Sequence, residues 1–501
     1  MTRKTKLLLN TSTSFIYQLT VIACGFILPK LFLTYYGSEV NGLVSSITQF
    51  LGFIALCECG VGAVVQSTLY KPLAENDTLA ISQIVVSSDR FFRKLAYLLV
   101  AYVLLLMIIY PFITIKSFGY FYTMQLIFVI SINTFAQYYF GMTNRLLLIA
   151  DQLGFLQYAL QTVLLILNTI SCVVLIKHSA SIQLVKLVTS LIFMMQPFIL
   201  MLVVKRAYNI DRKIKLTEEP IKQKWNGLSQ HIASVVLQNT DIVVLTLFSS
   251  LKNVSIYAVY NLIVTGIKQI ILALTNGVQS MYGNMLAKDE MEELNSNFSQ
   301  FEWIMHTCIT LIFTVTSVLI LPFVMVYTKG VSDANYNVPA FAYLIVCAQA
   351  AYCMRLPYNI MVLAAGHYRQ TQTSAIIEAT INVVLSIALV FAYGLVGVAI
   401  GTFVAMMYRT IYFVIYLSKN ILKRQVAYFI RHIFADVIVI ALVVLTVNVF
   451  CGWFTMGDKT YVSWTILAAK TGLVTLIFSL CINFVLYKDL MMKFFKKSTM
   501  K

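Results

Sequence analysis

Stretches of about 20 apolar residues recur along the whole chain, and each is long enough to cross a bilayer as a helix. Charged residues make up only 11% of the 501 residues, whereas soluble proteins carry about 25%. Too little charge is present to cover a water-soluble surface, so the sequence predicts an all-α polytopic membrane protein. The first apolar stretch follows a basic start, but it is too long for a signal peptide and lacks a small-residue cleavage site. We therefore expect it to be retained as the first span.

The apolar runs predict about 14 transmembrane helices. Lys and Arg sort strongly between the two sets of connecting loops, with 26 on the side of the termini and 5 on the other. Because cytoplasmic loops of membrane proteins are enriched in these residues, both termini are predicted to be cytoplasmic. The spans lie near 12–35, 43–69, 95–115, 120–143, 154–176, 183–204, 228–250, 254–286, 303–327, 339–365, 374–393, 396–418, 433–452 and 465–487.

A short motif occurs twice, as VQSTLYKPLA at 65–74 and as VQSMYGNMLA at 278–287, with five of ten positions identical. Each copy ends the second span of a predicted half, 213 residues apart (278 − 65 = 213). We therefore predict two parallel six-helix bundles, a common transporter plan with the substrate site between the halves. The predicted domains are an N-terminal bundle at 1–204, a cytoplasmic basic linker at 205–227, a C-terminal bundle at 228–418, and two extra helices with a cytoplasmic tail at 419–501.

Several classes of function are disfavoured. The five histidines are scattered, and no catalytic or metal-binding motif is present, so we expect no catalytic residue, metal or cofactor. The nine cysteines all lie in apolar runs without metal-ligand spacing, as is typical of packing residues. The loops are too short for a nucleotide-binding domain. A net charge of +17 reflects the cytoplasmic loops rather than a nucleic-acid partner.

Span eight carries a polar stripe. Asn261, Thr265, Lys268, Thr275 and Gln279 follow one another at spacings of +4, +3, +7 and +4, which places them on one helical face. Such a stripe either faces a wet cavity that binds substrate or packs against polar residues of another helix.

Two acidic residues within spans are candidates for ion coupling, because ionisable groups in a membrane are costly and usually functional. Asp241 forms a similar stripe with Ser234 and Gln238 in span seven. It either pairs with Lys268 or serves as a proton or sodium site, or both. Glu58 in span two is the second candidate.

Three further cations lie in spans. Lys30 either faces the interior or extends toward the outer interface. Arg355 and Arg409 each contact either a substrate phosphate or an internal acid, whereas Glu378 lies near the predicted inner end of span eleven, where water can reach it. With Lys268, these cations predict a positive interior that suits an anionic headgroup such as a pyrophosphate.

The segment LFLTYYGSEVNGLVSSITQFLGFIALCECGVGAVVQSTLYKPLAEND closely resembles the Wzx-like polysaccharide biosynthesis flippases, and YGSEVNGLVSSITQFL and LYKPLAE carry the resemblance most specifically. These belong to the multidrug/oligosaccharidyl-lipid/polysaccharide exporter superfamily. The resemblance implies two six-helix bundles in a V shape, with spans one, two, seven and eight lining a central cavity. The related drug exporters often carry a functional acid in span one, which this sequence lacks.

The resemblance also implies a function and a location. The expected function is alternating-access translocation of undecaprenyl-pyrophosphate-linked oligosaccharide repeat units to the outer leaflet of a bacterial plasma membrane, for surface or capsular polysaccharide assembly. The expected partners are this lipid-linked substrate, membrane lipids and other polysaccharide-assembly membrane proteins, with coupling to protons or sodium. The alternatives are a cation-coupled multidrug exporter of the same superfamily and an integral-membrane polysaccharide polymerase or ligase.

Overall fold

The computed structural model describes residues 3–58, 60–214, 228–275 and 278–492. Within these ranges the chain is helical and has no strand. Twelve of its helical segments are long and apolar enough to cross a membrane. The prediction of an all-α polytopic membrane protein is therefore confirmed. Most of the predicted linker, residues 215–227, and the end of the predicted tail, residues 493–501, lie outside the described residues.

In chain order the helices can be divided into two series. The first series is α1 Arg3–Gly52, a 3₁₀ turn at Phe53–Glu58, α2 Val61–Glu75, α3 Thr78–Thr114, α4 Tyr120–Ala136, a π turn at Gln137–Gly141, α5 Met142–Ala150, α6 Gly154–Lys177, α7 Ile182–Ala207 and α8 Leu228–Phe248. The second is α9 Leu251–Leu274, α10 Val278–Ala287, α11 Met291–Tyr327, α12 Pro339–Met354, α13 Leu356–Ala364, α14 Tyr368–Tyr393, α15 Leu395–Asn420, α16 Ala427–Val449, α17 Cys451–Phe454 and α18 Tyr461–Leu486.

Helix α1 contains two spans that meet at Gly37. A straight helix of its 50 residues would be about 75 Å long, far more than the roughly 30 Å of a bilayer core. Gly37 has φ 81° and ψ 174°, a backbone region that glycine enters without steric cost. The helix therefore breaks there into 3–36 and 38–52, which carry the predicted first and second spans.

The break at Gly37 also explains why twelve segments correspond to fourteen predicted spans. The segment Leu8–Glu58 counts once although it holds two spans. Helix α4 has 17 residues and α5 has 9, so neither is long enough alone, but the π turn joins them into one segment of membrane length. The described residues thus account for all fourteen spans.

Several helices begin at a polar residue whose side chain accepts a hydrogen bond from the first turn. Asp77 Oδ1 accepts from the Ala80 amide at 2.9 Å before α3, and Ser250 Oγ accepts from the Asn253 amide at 3.2 Å before α9. The first amides of a helix have no intrahelical acceptor, and such caps stabilise a helix by about 1 kcal/mol. These residues fix where long apolar segments start.

The spacing of the repeated motif recurs in the lengths of the helices. Helices α3 and α11 are each 37 residues long and begin 213 residues apart (291 − 78 = 213). Helices α7 and α15 are each 26 residues long at the same spacing (395 − 182 = 213). The first copy of the motif lies in α2 and the second forms α10. The agreement indicates a duplicated arrangement of spans.

Four spans are interrupted within their length, two in each series. The 3₁₀ turn and Gly60, with φ 72°, interrupt the second span, and the π turn interrupts the fourth. Helices α9 and α10 form separate parts of the eighth span, and Arg355 separates α12 from α13 in the tenth. Helix α2 packs against α5, and α10 packs against α13. Because a break frees backbone groups that need another partner, breaks in spans occur where protein or a wet cavity supplies one.

The chain divides into two compact units, Met1–Leu247 and Phe248–Lys501. Nearly all of α8 therefore belongs to the first unit, where Thr246 Oγ1 lies 2.7 Å from Ser46 Oγ. Gln49 Nε2 donates to the Gln238 carbonyl at 3.1 Å. The bundle boundaries inferred from the repeat, with 228–418 as one bundle, stay a prediction.

Candidate functional site

The predicted stripe on α9 begins with three polar side chains on one half-buried face. Thr265 Oγ1 donates to Asn261 Oδ1 at 3.2 Å. One turn further on, Lys268 Nζ lies 4.9 Å from the centroid of the Tyr352 ring on α12. No acidic side chain among the described residues lies within 4.0 Å of that ammonium group. An aromatic face attracts a cation but brings no compensating negative charge.

Beside Lys268, two arginines hold one glutamate. Arg409 Nη1 lies 2.5 Å from Glu378 Oε2, and Arg355 Nη1 donates to Glu378 Oε1. The Glu378 side chain is 1% exposed. The sequence left two partners open for these arginines, a substrate phosphate or an internal acid, and the structure shows the internal acid. The expectation that water reaches Glu378 is wrong, because the carboxylate is enclosed by the two guanidinium groups.

Tyr352 connects these charges. Its ring lies 4.3 Å from the Arg355 guanidinium carbon and 4.9 Å from Lys268 Nζ, so one aromatic side chain contacts two cations. The three cations outnumber the single carboxylate of Glu378, and the cluster therefore keeps an excess of positive charge. A desolvated positive cluster binds phosphate oxygens strongly. We call Lys268, Tyr352, Arg355, Glu378 and Arg409 the basic cluster.

The sequence did not show that Glu378 belongs to this cluster. Its partners lie 23 and 31 positions away in the chain, so no helical periodicity connects them. The available signal was the cost of two mid-span arginines, which requires a buried acid nearby.

An open pocket of about 610 Å³ lies between α10 and α13. Gln279 lines it and donates to the Tyr368 hydroxyl at 3.4 Å. The spacing of the stripe predicts that Gln279 lies on the same helical face as Lys268. The two residues lie on separate helices, α9 and α10, so their spacing in the sequence does not place them on one face. The pocket is lined by Thr275, Gln279, Ser280, Gly283, Ile360, Leu363 and Ala364.

The first unit holds the remaining predicted residues. Glu58 ends the 3₁₀ turn and accepts a hydrogen bond from Tyr138 in the π turn, so the breaks of two spans meet at this carboxylate. Lys30 lies half-buried on α1. The contact of Glu58 and the position of Lys30 do not test a role of either residue in coupling or in substrate binding.

The residues of the predicted stripe on α8 differ in their exposure to solvent. Gln238 is exposed and donates to Ser234 Oγ at 3.0 Å, whereas Asp241 is 3% exposed. Asp241 lies in the first compact unit and Lys268 in the second, and their pairing stays a prediction.

The structure corrects the description of the histidines as scattered. The rings of His306 and His432 stack with centroids 4.9 Å apart. The signal that sequence reasoning missed is a pair of i, i+4 spacings, Glu302 with His306 on α11 and His432 with Asp436 on α16, since each spacing places two titratable groups on one helical face. Asp436 itself, within predicted span thirteen, was overlooked.

No protein-family model matches the chain, and a comparison with curated proteins gives no match. Solved structures do match. "Lipid II flippase MurJ, inward closed conformation" aligns over 97% of this chain and 100% of its own, with a TM-score of 0.69 and 15% identity. An inward-facing multidrug resistance MATE family transporter of the MOP superfamily covers 82% of this chain and 98% of its own, with a TM-score of 0.57 and 14% identity.

A third structure, the Vibrio cholerae MATE transporter VcmN in its bent form, covers 83% of this chain and 97% of its own, with a TM-score of 0.53 and 12% identity. These neighbours are transporters and flippases and not enzymes. At such low identity the likeness concerns the fold. The chain has the polytopic membrane transporter fold that is shared by the MurJ and MATE structures.

Proposed function

We propose that this protein is a flippase for a polyprenyl-pyrophosphate-linked oligosaccharide. It carries the repeat unit from the inner to the outer leaflet of a bacterial plasma membrane by alternating access, with both termini in the cytoplasm. The product supplies the assembly of a surface or capsular polysaccharide, as the resemblance to Wzx-like flippases implies. Asp241 and Glu58 are the proposed sites of coupling to protons or sodium, and Lys30 and Gln238 are proposed to face the transport path.

The observation that carries the proposal is the excess positive charge of the basic cluster. Glu378 already compensates part of the charge of Arg355 and Arg409, whereas Lys268 has an aromatic ring beside it instead of an acid. A pyrophosphate brings the negative charge that such a cluster lacks. Lys268 is therefore proposed as the main headgroup contact, with the two arginines holding its surroundings.

Two other observations support a large, lipid-linked substrate. The pocket beside α10 is open and is lined by both polar and apolar side chains, as a sugar with an attached lipid requires. The fold match to the lipid II flippase structure extends over the whole of that chain. That protein, by its name, moves a lipid-linked molecule.

The likeness to multidrug transporters makes an exporter the second candidate. A cationic drug would be repelled by the basic cluster, since like charges in a low-dielectric site interact strongly. Resistance to cationic compounds, measured in cells with and without the protein, distinguishes the two candidates.

The test is complementation in cells that lack the protein, with surface polysaccharide as the readout and membrane abundance as a check. Lys268→Ala is expected to lower polysaccharide at least about tenfold, because the loss of one charge-assisted contact of about 1.5–3 kcal/mol corresponds to that factor or more. Lys470→Ala is the matched control, because Lys470 Nζ also lies over an aromatic ring, 4.8 Å from the Trp453 centroid, but outside the basic cluster.

Full activity of Lys268→Ala at normal abundance would remove the central residue of the proposal. Equal losses in Lys268→Ala and Lys470→Ala would show that replacing any half-buried lysine that lies over an aromatic ring harms the protein, and the headgroup role would then be rejected.

A further inference from the structure

A second buried cluster lies outside the basic cluster and joins three helices of the second unit. Glu302 and His306 come from α11, Tyr358 from α13 and Asp436 from α16. Arg424 reaches the cluster from the segment between α15 and α16. Glu302 and His306 are each 1% exposed, and Asp436 is 6% exposed. We call these five residues the proton cluster.

The donors and acceptors of the cluster can be counted. Glu302 Oε1 accepts from Arg424 Nη2 at 2.5 Å and from the Tyr358 hydroxyl at 2.5 Å. A phenol has a single hydrogen, so the Tyr358 oxygen is left as an acceptor for His306 Nε2 at 3.3 Å. His306 Nδ1 lies 2.7 Å from Asp436 Oδ2. With Asp436 ionised, both imidazole nitrogens must carry hydrogen, and with Asp436 protonated the same proton lies on its oxygen. Either arrangement holds one proton more than neutral His306 and ionised Asp436 would.

Counting the charges of the cluster also indicates one additional proton. Glu302 and Asp436 contribute two negative charges, and the buried guanidinium of Arg424 contributes one positive charge. One negative charge would remain uncompensated in a site excluded from water, which is energetically costly. A single proton shared by His306 and Asp436 makes the cluster neutral.

The other charged and titratable groups near the cluster do not supply that charge. His432 lies between the rings of His306 and Tyr487, with centroid distances of 4.9 and 4.8 Å. Two stacked imidazolium rings would repel each other, so His432 stays neutral while His306 is charged. Arg431 is exposed, and its guanidinium lies 4.9 Å over Tyr487. Tyr282 from α10 and Tyr428 from α16 are neutral phenols.

One carboxylate oxygen of the cluster, Glu302 Oε2, can accept a further hydrogen bond or a proton. Glu302 Oε2 is buried without a hydrogen-bond partner among the described residues and lies 3.7 Å from His432 Nε2. A separate cavity of about 10 Å³ is lined by His306, His432 and Asp436, which is about the space of one water molecule. A water molecule of that size would lie beside both groups that share the proton.

Tyr358 connects the cluster to the pocket. It lies on the nine-residue helix α13, and the same helix supplies Ile360, Leu363 and Ala364 to the pocket. If His306 loses its proton, one of its two hydrogen bonds must break, either the one to Tyr358 on α13 or the one to Asp436 on α16. We propose that the proton cluster is a binding site for one proton, and that occupancy of this site keeps both hydrogen bonds of His306, to α13 and to α16, in place. Its use in transport rests on the function proposed above, whereas its occupancy does not.

The test measures occupancy directly. Protein labelled with ¹⁵N-histidine is placed in lipid nanodiscs, and the imidazole signals are recorded at about pH 7.5, where an ordinary imidazole is mostly neutral. His306→Gln assigns the signal, and exposed His178→Gln provides the matched control. We expect His306 either doubly protonated or strongly hydrogen-bonded to a protonated Asp436, with one proton shared between them.

Asp436→Asn and Glu302→Gln each remove one negative charge, so each makes the cluster neutral without the extra proton. In each variant the fraction of protein in which His306 carries or shares the extra proton should fall at least about tenfold, because an ion-pair partner or a nearby negative charge is gone. A neutral His306 with no shared proton in the native protein, or a charged His306 unchanged in both variants, would overturn the proposal.

A transport assay then separates this inference from the proposed function. If the proton is present but no lipid-linked oligosaccharide moves, the proposed function fails and the proton site stands. If transport occurs and its dependence on a pH gradient survives in Asp436→Asn, the proton site takes no part in coupling, and its use in transport is rejected.

Discussion

Replacing Glu378 by Gln removes the acid that two buried arginines share. The Glu378 side chain is 1% exposed, and those of Arg355 and Arg409 are 7% and 10% exposed, so water cannot take over the contacts. Gln has nearly the same shape, and the change therefore removes charge without opening a cavity. Leaving a buried charge without its partner costs about 3–5 kcal/mol. We expect the free energy of unfolding to fall by about that amount, more than a hundredfold in the equilibrium constant.

The assay is chemical unfolding of the purified protein in detergent micelles, followed by intrinsic fluorescence. Glu75→Gln is the matched control, because Glu75 pairs with Lys71 at 3.8 Å on an exposed face, and exposed pairs contribute about 1 kcal/mol or less. Adding Arg409→Gln to Glu378→Gln should recover part of the loss, since one unpaired charge is then removed. A loss below about 1 kcal/mol in Glu378→Gln would refute the reasoning that this ion pair is buried and mutually dependent.

Two further predictions concern packing and pH. In Gly397→Ala the new Cβ would lie 2.2 Å from the Leu389 carbonyl oxygen, so the free energy of unfolding should fall by about 1–3 kcal/mol or more. The control Gly472→Ala, with open space around the new Cβ, should be neutral or stabilising in the same denaturation assay. Equal effects of the two substitutions would contradict the close approach of α14 and α15. The Tyr208 hydroxyl donates to Asp151 Oδ2 at 2.5 Å, and burial, with the hydrogen bond and charge of Asp151, raises the pKa of Tyr208 above its ordinary 10.0. The folded state then holds the Tyr208 proton more tightly than the unfolded state does. The stability contributed by this hydrogen bond is therefore complete below pH 10 and declines as the pH rises toward the folded pKa. The difference in thermal stability between the native protein and Tyr208→Phe should shrink above pH 10, and a constant difference would argue against this interaction.

Much of the fold could be predicted because membranes impose a strong rule. A span needs about 20 apolar residues and must satisfy its own backbone, so the runs in the sequence translate directly into helices. The repeated motif predicts a duplication, and α3 and α11 have equal length at the same spacing. The breaks were harder to predict. The π turn at Gln137–Gly141 contains neither proline nor a run of glycines, and nothing in its composition indicates it.

The candidate site could be predicted only in part, for a related reason. Lys268 was found because its polar neighbours share a helical face, which is a local property. The contact of Glu378 with Arg355 and Arg409 depends on how α12, α14 and α15 pack, and sequence spacing carries no record of that packing. The histidines looked scattered because His306 and His432 are 126 positions apart in the chain (432 − 306 = 126), although their rings stack.

The most direct test of the proposed function is the leaflet distribution of lipid-linked oligosaccharides in cells that lack this protein. Labelling of intact and permeabilised cells with a sugar-specific probe separates the outer pool from the total. The flippase function predicts that single repeat units accumulate on the cytoplasmic leaflet and that surface polysaccharide is lost, with both restored by the native protein. Repeat units that reach the outer leaflet in normal amounts in its absence would contradict the proposal.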